Sequence, residues 1–399
     1  MMHIFINGLG ASAGGGLTYL RNVLPHLANR EDVRATVVVN PESGIDGNGN
    51  VNVIRMPTQA GTARRFWFEQ TELPTMVRRC AADILVSAGN FALRQSPVPQ
   101  ILLSRNSLYT SPDFCRDLVS RRELRMWLDT RIKAAFAKRS IHWADCTVAP
   151  SQAFADELRR WTGERVVAIH HGFDHDHFFQ SRPSLSEDVR AKLSCPPGVL
   201  RIALVSHYNY YRNIETVLRA IALIRTQSGA PAVRLFLTCE LKKEQTPGAY
   251  DPQSAAKLID DLGIRDHVVE LGAVSYEQLH HVYQACDLFV SAAYTETFAH
   301  PLVEAMASGV SVLASDLLVH REICGEAAHY FSTFAPEQLA AQLSQLAADQ
   351  PVRQLMTMRG REQSLRYSWK SHVNQIISLA EELLKGRVGE HLRNAASAA

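Results

Sequence analysis

Short runs of β-branched and other apolar residues alternate with amphipathic stretches through nearly the whole chain. Buried strands joined by crossover helices produce that rhythm, so the pattern predicts parallel α/β sheets. In the first half, strands are predicted at 3–7, 35–40, 51–56, 83–88, 100–104, 146–151 and 166–171, and helices at 16–28, 62–81, 116–143 and 152–161. The rhythm then restarts. Strands are predicted at 201–206, 233–238, 267–272, 287–292 and 310–315, with helices at 213–225 and 276–284 among them. Between the halves, residues 181–199 carry three prolines and several small polar residues without a helical period, which marks a linker. The expected organisation is two Rossmann-like α/β domains, residues 1–180 and 200–367. Residues 351–385 read as two further helices, the last with Trp369, Val373, Ile376, Ile377, Ala380 and Leu384 on one face.

Composition narrows this picture mainly by exclusion. A length of 399 residues with 46% hydrophobic and 21% charged positions suits two globular domains and excludes a disordered or fibrous chain. With 42 basic against 40 acidic side chains, the net charge of +2 gives no basis for a nucleic-acid binder. Residues 1–190 hold 23 basic and 19 acidic side chains, and much of that excess falls within 116–139, which has eight Arg or Lys against three acids. That segment is also amphipathic. Such a stretch packs as a helix with a solvated charged face or lies on an anionic bilayer, so peripheral membrane contact through 116–139 is one expectation. The seven cysteines are scattered without a C-x-x-C, which fits a reducing, cytoplasmic setting. No apolar run is long enough to span a membrane, and the start reads as a first strand instead of a signal peptide.

The most informative stretch runs from 294 to 330, YTETFAHPLVEAMASGVSVLASDLLVHREICGEAAHY. Glu296 and Glu304 flank Phe298, His300 and Pro301, and a helix-like segment follows directly. Pro301 suits the first turn of a helix, where its missing N–H would have had no intrahelical partner. The amides around Phe298, Ala299, His300 and Leu302 would then point toward an anion, which the helix dipole favours by about 0.3–1 kcal/mol. A diphosphate is a suitable anion. Arg212, near the start of a predicted helix, can hold phosphate oxygens bidentately, whereas a neutral His207 offers one donor only. Near the start, Gly14, Gly15 and Gly16 follow the first strand and allow close backbone approach to a ligand, although the run does not complete a dinucleotide fingerprint.

These residues resemble the retaining glycosyltransferases of the family 4 type (glycosyl transferases group 1, GT-B fold), whose element is usually written Glu-Gly-Phe-Gly-x-Pro-x-x-Glu. Further matches are GGGLTYLRNVLPHLA, ADCTVAPS, GFDHDHF, RNIETVLRA and LGAVSYEQLHHVYQACDLFVSA, so the resemblance covers roughly residues 3–385. It implies two facing domains, the first for the acceptor and the second for a nucleotide-diphosphate sugar, with a crossover helix at 368–385 packing on the first and a tail at 386–399. It also implies that Glu304 binds the ribose, Glu296 the donor sugar and Arg212 the diphosphate. Ala273 and Val274 would border the base, and Gly15 and Gly16 would form a loop of the first domain near the donor. No metal and no cofactor are expected. The implied reaction is hexosyl transfer with retention to a sugar or lipid-linked glycan, as in cell-surface polysaccharide or lipopolysaccharide synthesis.

The chain also departs from the pattern. Ser206 and His207 stand where the family usually has Gly-Arg, and Arg212 replaces a lysine. Many members carry a histidine after the strand that here reads QILLSRNSLY, so Arg105 and Asn106 become the acceptor-side candidates. No essential base is then named, because same-face return can use the leaving phosphate oxygen. His170 and His171 read as domain-junction residues. Asp174 and Asp176 form a D-x-D, but within GFDHDHF they match a non-metal position. A sugar-nucleotide epimerase or phosphorylase, or a degenerate sugar-nucleotide binder, remains the alternative to a transferase.

Overall fold

The computed structural model describes residues 1–11, 14–57, 61–180, 184–227, 229–243 and 250–397. The chain divides into two compact units. One comprises Met1–Thr110, Leu128–Gly172 and Tyr367–Ala399, and the other Ser111–Trp127 and Phe173–Arg366.

The first unit begins with β1 (Met2–Asn7), α1 (Gly14–Ala28), β2 (Val33–Val39), β3 (Val51–Arg55), α2 (Thr62–Arg79), β4 (Ile84–Ser87) and β5 (Gln100–Leu103). Here the chain leaves it for α3 (Pro112–Ser120), and returns along α4 (Leu124–Trp143) to β6 (Cys146–Ala149), α5 (Gln152–Thr162) and β7 (Val166–Ala168). All seven strands are parallel, in the order β3-β2-β1-β4-β5-β6-β7. Order reverses between β1 and β4, the switch point beside which open α/β sheets hold ligands.

The predicted helix over 116–143 is in fact two helices, and the first belongs to the other unit. Ser111 caps α3, accepting the Phe114 N–H at 3.2 Å, with Pro112 in the first turn. At the far end Arg122 adopts φ 62°, and the N–H groups of Arg122 and Glu123 donate back to Val119 and Leu118. That pair of bonds is the left-handed helix stop usually made by glycine. The last element described, α15 (Trp369–Ser397), belongs to the first unit and continues through 386–397, in place of the expected tail. Trp369, Val373, Ile376, Ile377 and Ala380 are buried in the same core as Ile4, Val37 and Val86, and each large side chain so covered contributes roughly 1.5–3 kcal/mol. Leu383 continues this face in place of Leu384. The backbone of Trp369 passes so close to Gly172 that any Cβ there would collide with the Trp369 amide.

The second unit continues with α6 (His175–Gln180), α7 (Glu187–Lys192), β8 (Leu200–Leu204), α8 (Ile214–Thr226), β9 (Val233–Leu237), α9 (Gln253–Asp261), β10 (Val268–Glu270) and α10 (Leu279–Gln284). Then follow β11 (Leu288–Ser291), α11 (His300–Ala307), β12 (Ser311–Ser315), α12 (Leu318–Cys324), β13 (Ala328–Phe331), α13 (Pro336–Ala348) and α14 (Gln350–Ser364). Its six parallel strands run β10-β9-β8-β11-β12-β13, with the switch point between β8 and β11. The expected linker contains α7 and falls within this unit; residues 181–183 lie outside the described residues. Among the described residues no helix is long and apolar enough to cross a membrane.

Candidate functional site

Arg212 and Glu296 leave the carboxyl ends of the two strands that flank the second unit's switch point, β8 and β11. Their loops are tied together. The Tyr294 N–H donates to the Tyr211 carbonyl at 3.0 Å, and the Asn213 amide donates to the carbonyls of Ala292 and Thr333 at 3.1 and 2.8 Å. Asn213 manages this at φ 52°, a conformation asparagine tolerates, while capping α8. So braced, the Arg212 guanidinium donates to Glu296 Oε2 at 2.6 Å, with 20% and 13% of the two side chains exposed. Burial pushes the Glu296 carboxyl upward, but the Arg212 charge and the Thr297 N–H outweigh it and hold the carboxyl below its ordinary value. Arg212 Nε is buried and has no partner among the described residues, so one N–H of the fork is left for another acceptor.

Eight positions after Glu296, Glu304 lies on α11 and is buried. The Tyr283 hydroxyl, on α10, donates to its Oε2 at 2.9 Å. Burial raises the Glu304 carboxyl to about 7, although Tyr283 and Arg212 pull the other way. Between the two glutamates, Phe298 is buried and Ala299 takes φ 64°, ψ 62° as the cap of α11, so His300 opens the helix and Pro301 is its second residue. The Leu302 N–H, expected to face an anion, instead donates to the Ala299 carbonyl at 3.0 Å. His207 is exposed, and its carbonyl accepts from the Ser206 hydroxyl at 2.6 Å. Ala273 is exposed and Val274 partly buried in the loop after β10.

Sequence reasoning missed His320. It is fully buried on α12, and its Nδ1 lies 2.9 Å from the Ser315 carbonyl. Burial lowers its pKa, so the ring is neutral. A carbonyl only accepts, so Nδ1 carries the proton and Nε2, without a partner among the described residues, presents a lone pair. Nothing in the spacing of sixteen histidines singled it out.

In the first unit, Gly14, Gly15 and Gly16 form the opening turn of α1 instead of a loop before it. A Cβ on Gly15 would meet nothing within 4 Å, whereas one on Gly16 would come within 3.0 Å of Ala11. Arg105 is turned inward: its guanidinium lies 4.5 Å over the Tyr19 ring and donates to the carbonyls of Gly15 and Ala88. Asn106 caps a short turn, accepting the Leu108 N–H at 3.1 Å. Beside them sits a buried carboxylate that the sequence did not announce. Glu69 on α2 lies 3.3 Å from Arg65 Nε, and burial raises it to about 7 against the pull of Arg65 and of a hydrogen bond from Asn7. His171 is buried with its ring 5.3 Å from that of Trp369, and the His170 carbonyl meets His372 Nδ1 at 2.8 Å. Asp174 caps α6, accepting the His177 N–H at 2.9 Å. Among the described residues no three His, Cys, Asp or Glu side chains gather to hold a metal ion.

Residues 186–363 match the family described as Glycosyl transferases group 1, and residues 13–177 match Glycosyltransferase Family 4. The D-inositol 3-phosphate glycosyltransferase of Mycolicibacterium smegmatis is 28% identical over 187 residues, 46% of this chain and 40% of that protein. That of Segniliparus rotundus is 24% identical over 251 residues, 61% of this chain and 53% of that protein. The chain thus spans about half, or less, of the length of these curated relatives. Among solved structures, sucrose-phosphate synthase from Thermosynechococcus elongatus superposes with a TM-score of 0.77 at 19% identity, covering 97% of this chain and all 100% of that one. HepE of Anabaena in complex with UDP and glucose gives 0.68 at 18%, covering 96% and 100%. WaaG, a glycosyltransferase involved in lipopolysaccharide biosynthesis, gives 0.65 at 16%, covering 95% and 99%. These structural likenesses establish the fold.

Proposed function

The chain belongs to the family 4, group 1 glycosyltransferases, and on that premise we propose that it transfers a hexosyl group from a nucleotide-diphosphate sugar to a sugar or lipid-linked glycan. The observation that carries the reading is the Arg212–Glu296 pair at a strand switch point, with a free Arg212 N–H and the opening of α11 beside it. As the bond from the sugar to the β-phosphate breaks, its electron pair stays on the phosphate oxygen. Arg212 meets that growing charge, in surroundings where a fixed cation is worth more than in water. Glu296 orients the guanidinium and accepts from hydroxyls of the sugar. Glu304 takes the ribose hydroxyls, and the His320 lone pair accepts a further donor hydroxyl. The acceptor hydroxyl attacks on the face the phosphate leaves, and its proton passes to the departing oxygen. Configuration is thereby retained without a protein base or a metal ion.

HepE has been solved with UDP-glucose, which supports testing UDP sugars first. The acceptor reading, in cell-surface polysaccharide synthesis at the cytoplasmic side of a membrane, draws support from WaaG. Thermal-shift screening with UDP-, GDP- and ADP-sugars, followed by nucleotide release with and without candidate acceptors, tests the reading. Stabilisation by one nucleotide sugar and acceptor-dependent release are expected. No shift with any of them overturns it.

A further inference from the structure

A groove of about 800 Å³ runs between α2 and α4 of the first unit, a volume in the range of ligand sites (~300–1,000 Å³). Its floor is aromatic: the Phe66 ring lies 5.1 Å from Phe136 and 6.0 Å from Phe91. Large apolar side chains stand open to solvent along it, Trp67 at 68%, Ile132 at 50% and Phe136 at 38% exposed. Apolar surface gathered in one concavity marks an interaction site, where scattered single residues would not.

The rim is cationic. Lys133 is paired with Asp129 at 2.7 Å, but Arg94 and Arg139 form no ion pair among the described residues. A second copy of this chain would set like charges against each other, whereas an anionic amphiphile would satisfy both floor and rim. Two elements link the groove to the polar cluster at the first unit's switch point. On α2, Phe66 and Gln70 line the groove while their neighbours Arg65 and Glu69 form the buried ion pair. After β4, Phe91 lines the groove while Asn90 accepts the Arg105 N–H at 2.6 Å. The groove and the polar cluster therefore share two elements of the first unit.

We propose that the α2–α4 groove binds the hydrocarbon chain of a lipid-linked acceptor, with the lipid phosphate on Arg94 and Arg139. This rests on the transferase reading and adds to it the place where the lipid of the acceptor is held.

The test uses the full chain and hexyl, octyl, decyl and dodecyl phosphate below their micelle concentrations, read by tryptophan emission, since Trp67 lies on the groove. Saturable binding is expected, tightening about four-fold per methylene until the groove is filled and then levelling off. Phe136→Glu and Ile132→Glu, both at partly exposed positions, should each weaken dodecyl phosphate at least ten-fold. Leu365→Glu, at the exposed residue that follows α14, should not. Nucleotide-sugar thermal shifts should be the same in all four proteins, which keeps failure of this inference distinct from failure of the transferase reading. Binding independent of chain length, or unaffected by Phe136→Glu, overturns the proposal. So does a dimer in sedimentation that Phe136→Glu dissociates, because the groove is then a protein interface.

Discussion

The Arg212 guanidinium holds Glu296 at 2.6 Å although the two residues are 84 positions apart and stand on loops from different strands. Their strands are neighbours at the point where sheet order reverses, so the fold itself brings them together. Truncating one partner strands the other. Arg212→Ala should lower turnover at least ten-fold, since a charge-assisted contact is worth ~1.5–3 kcal/mol, and should also lower the melting temperature. Arg212→Met combined with Glu296→Gln should recover much of the stability and none of the activity. Recovery of activity in the double variant would show that the pair is structural only.

In the proposed role as ribose ligand, Glu304 should make nucleotide binding depend on pH. Burial raises its carboxyl to about 7, and ribose hydroxyls donate best to the ionised form. Affinity for the nucleotide should therefore rise as pH passes through 7 and flatten above it. Relative to Glu304→Gln, the wild-type gain between pH 6 and pH 8 should be about ten-fold, following the ionised fraction. Calorimetric titration of both proteins across that range measures it. A parallel response in the two would remove Glu304 from the site. Tyr283→Phe, which deletes a donor to the carboxylate, should shift the rise to higher pH.

Ala299 carries a strain that glycine would release. A left-handed conformation costs an L-residue about 1–2 kcal/mol, partly offset by the extra freedom glycine has when unfolded. Ala299→Gly should stabilise the second unit by roughly 0.5–1 kcal/mol, seen as a melting temperature a few degrees higher. An unchanged or lower melting temperature would mean that the Ala299 methyl contributes packing equal to the strain.

Strand rhythm made both sheets legible, because parallel strands are buried on both faces and read as unbroken apolar runs. The strand β13 escaped, having four residues of which two are half-buried. The break between α3 and α4 was hidden because Arg122, and not glycine, occupies the left-handed stop. The α1 glycines looked like a loop for the converse reason, since they open a helix. At the site, the Glu296 to Glu304 spacing carried its own signal within one helix turn and loop. Tyr283, His320 and Asn213 had none: each acts through a partner fixed only when the sheet assembles.

Glu69 supplies a stability test in the first unit. Its folded value of about 7 lies above the ordinary carboxyl value of 4.5, so the folded state retains a proton there that the unfolded chain releases. Stability is then lost as pH rises from about 4.5 to about 7 and changes no further above that, because both states are ionised. Glu69→Gln keeps the shape and removes the titration. The variant should match the wild type near pH 4 and exceed it at pH 8, by on the order of 1–3 kcal/mol after the lost Arg65 attraction is included. Urea midpoints at pH 4, 6 and 8 measure the difference. A variant less stable than wild type at pH 8 would mean that the Arg65 ion pair outweighs the burial of the charge, and that Glu69 is held ionised in the folded protein.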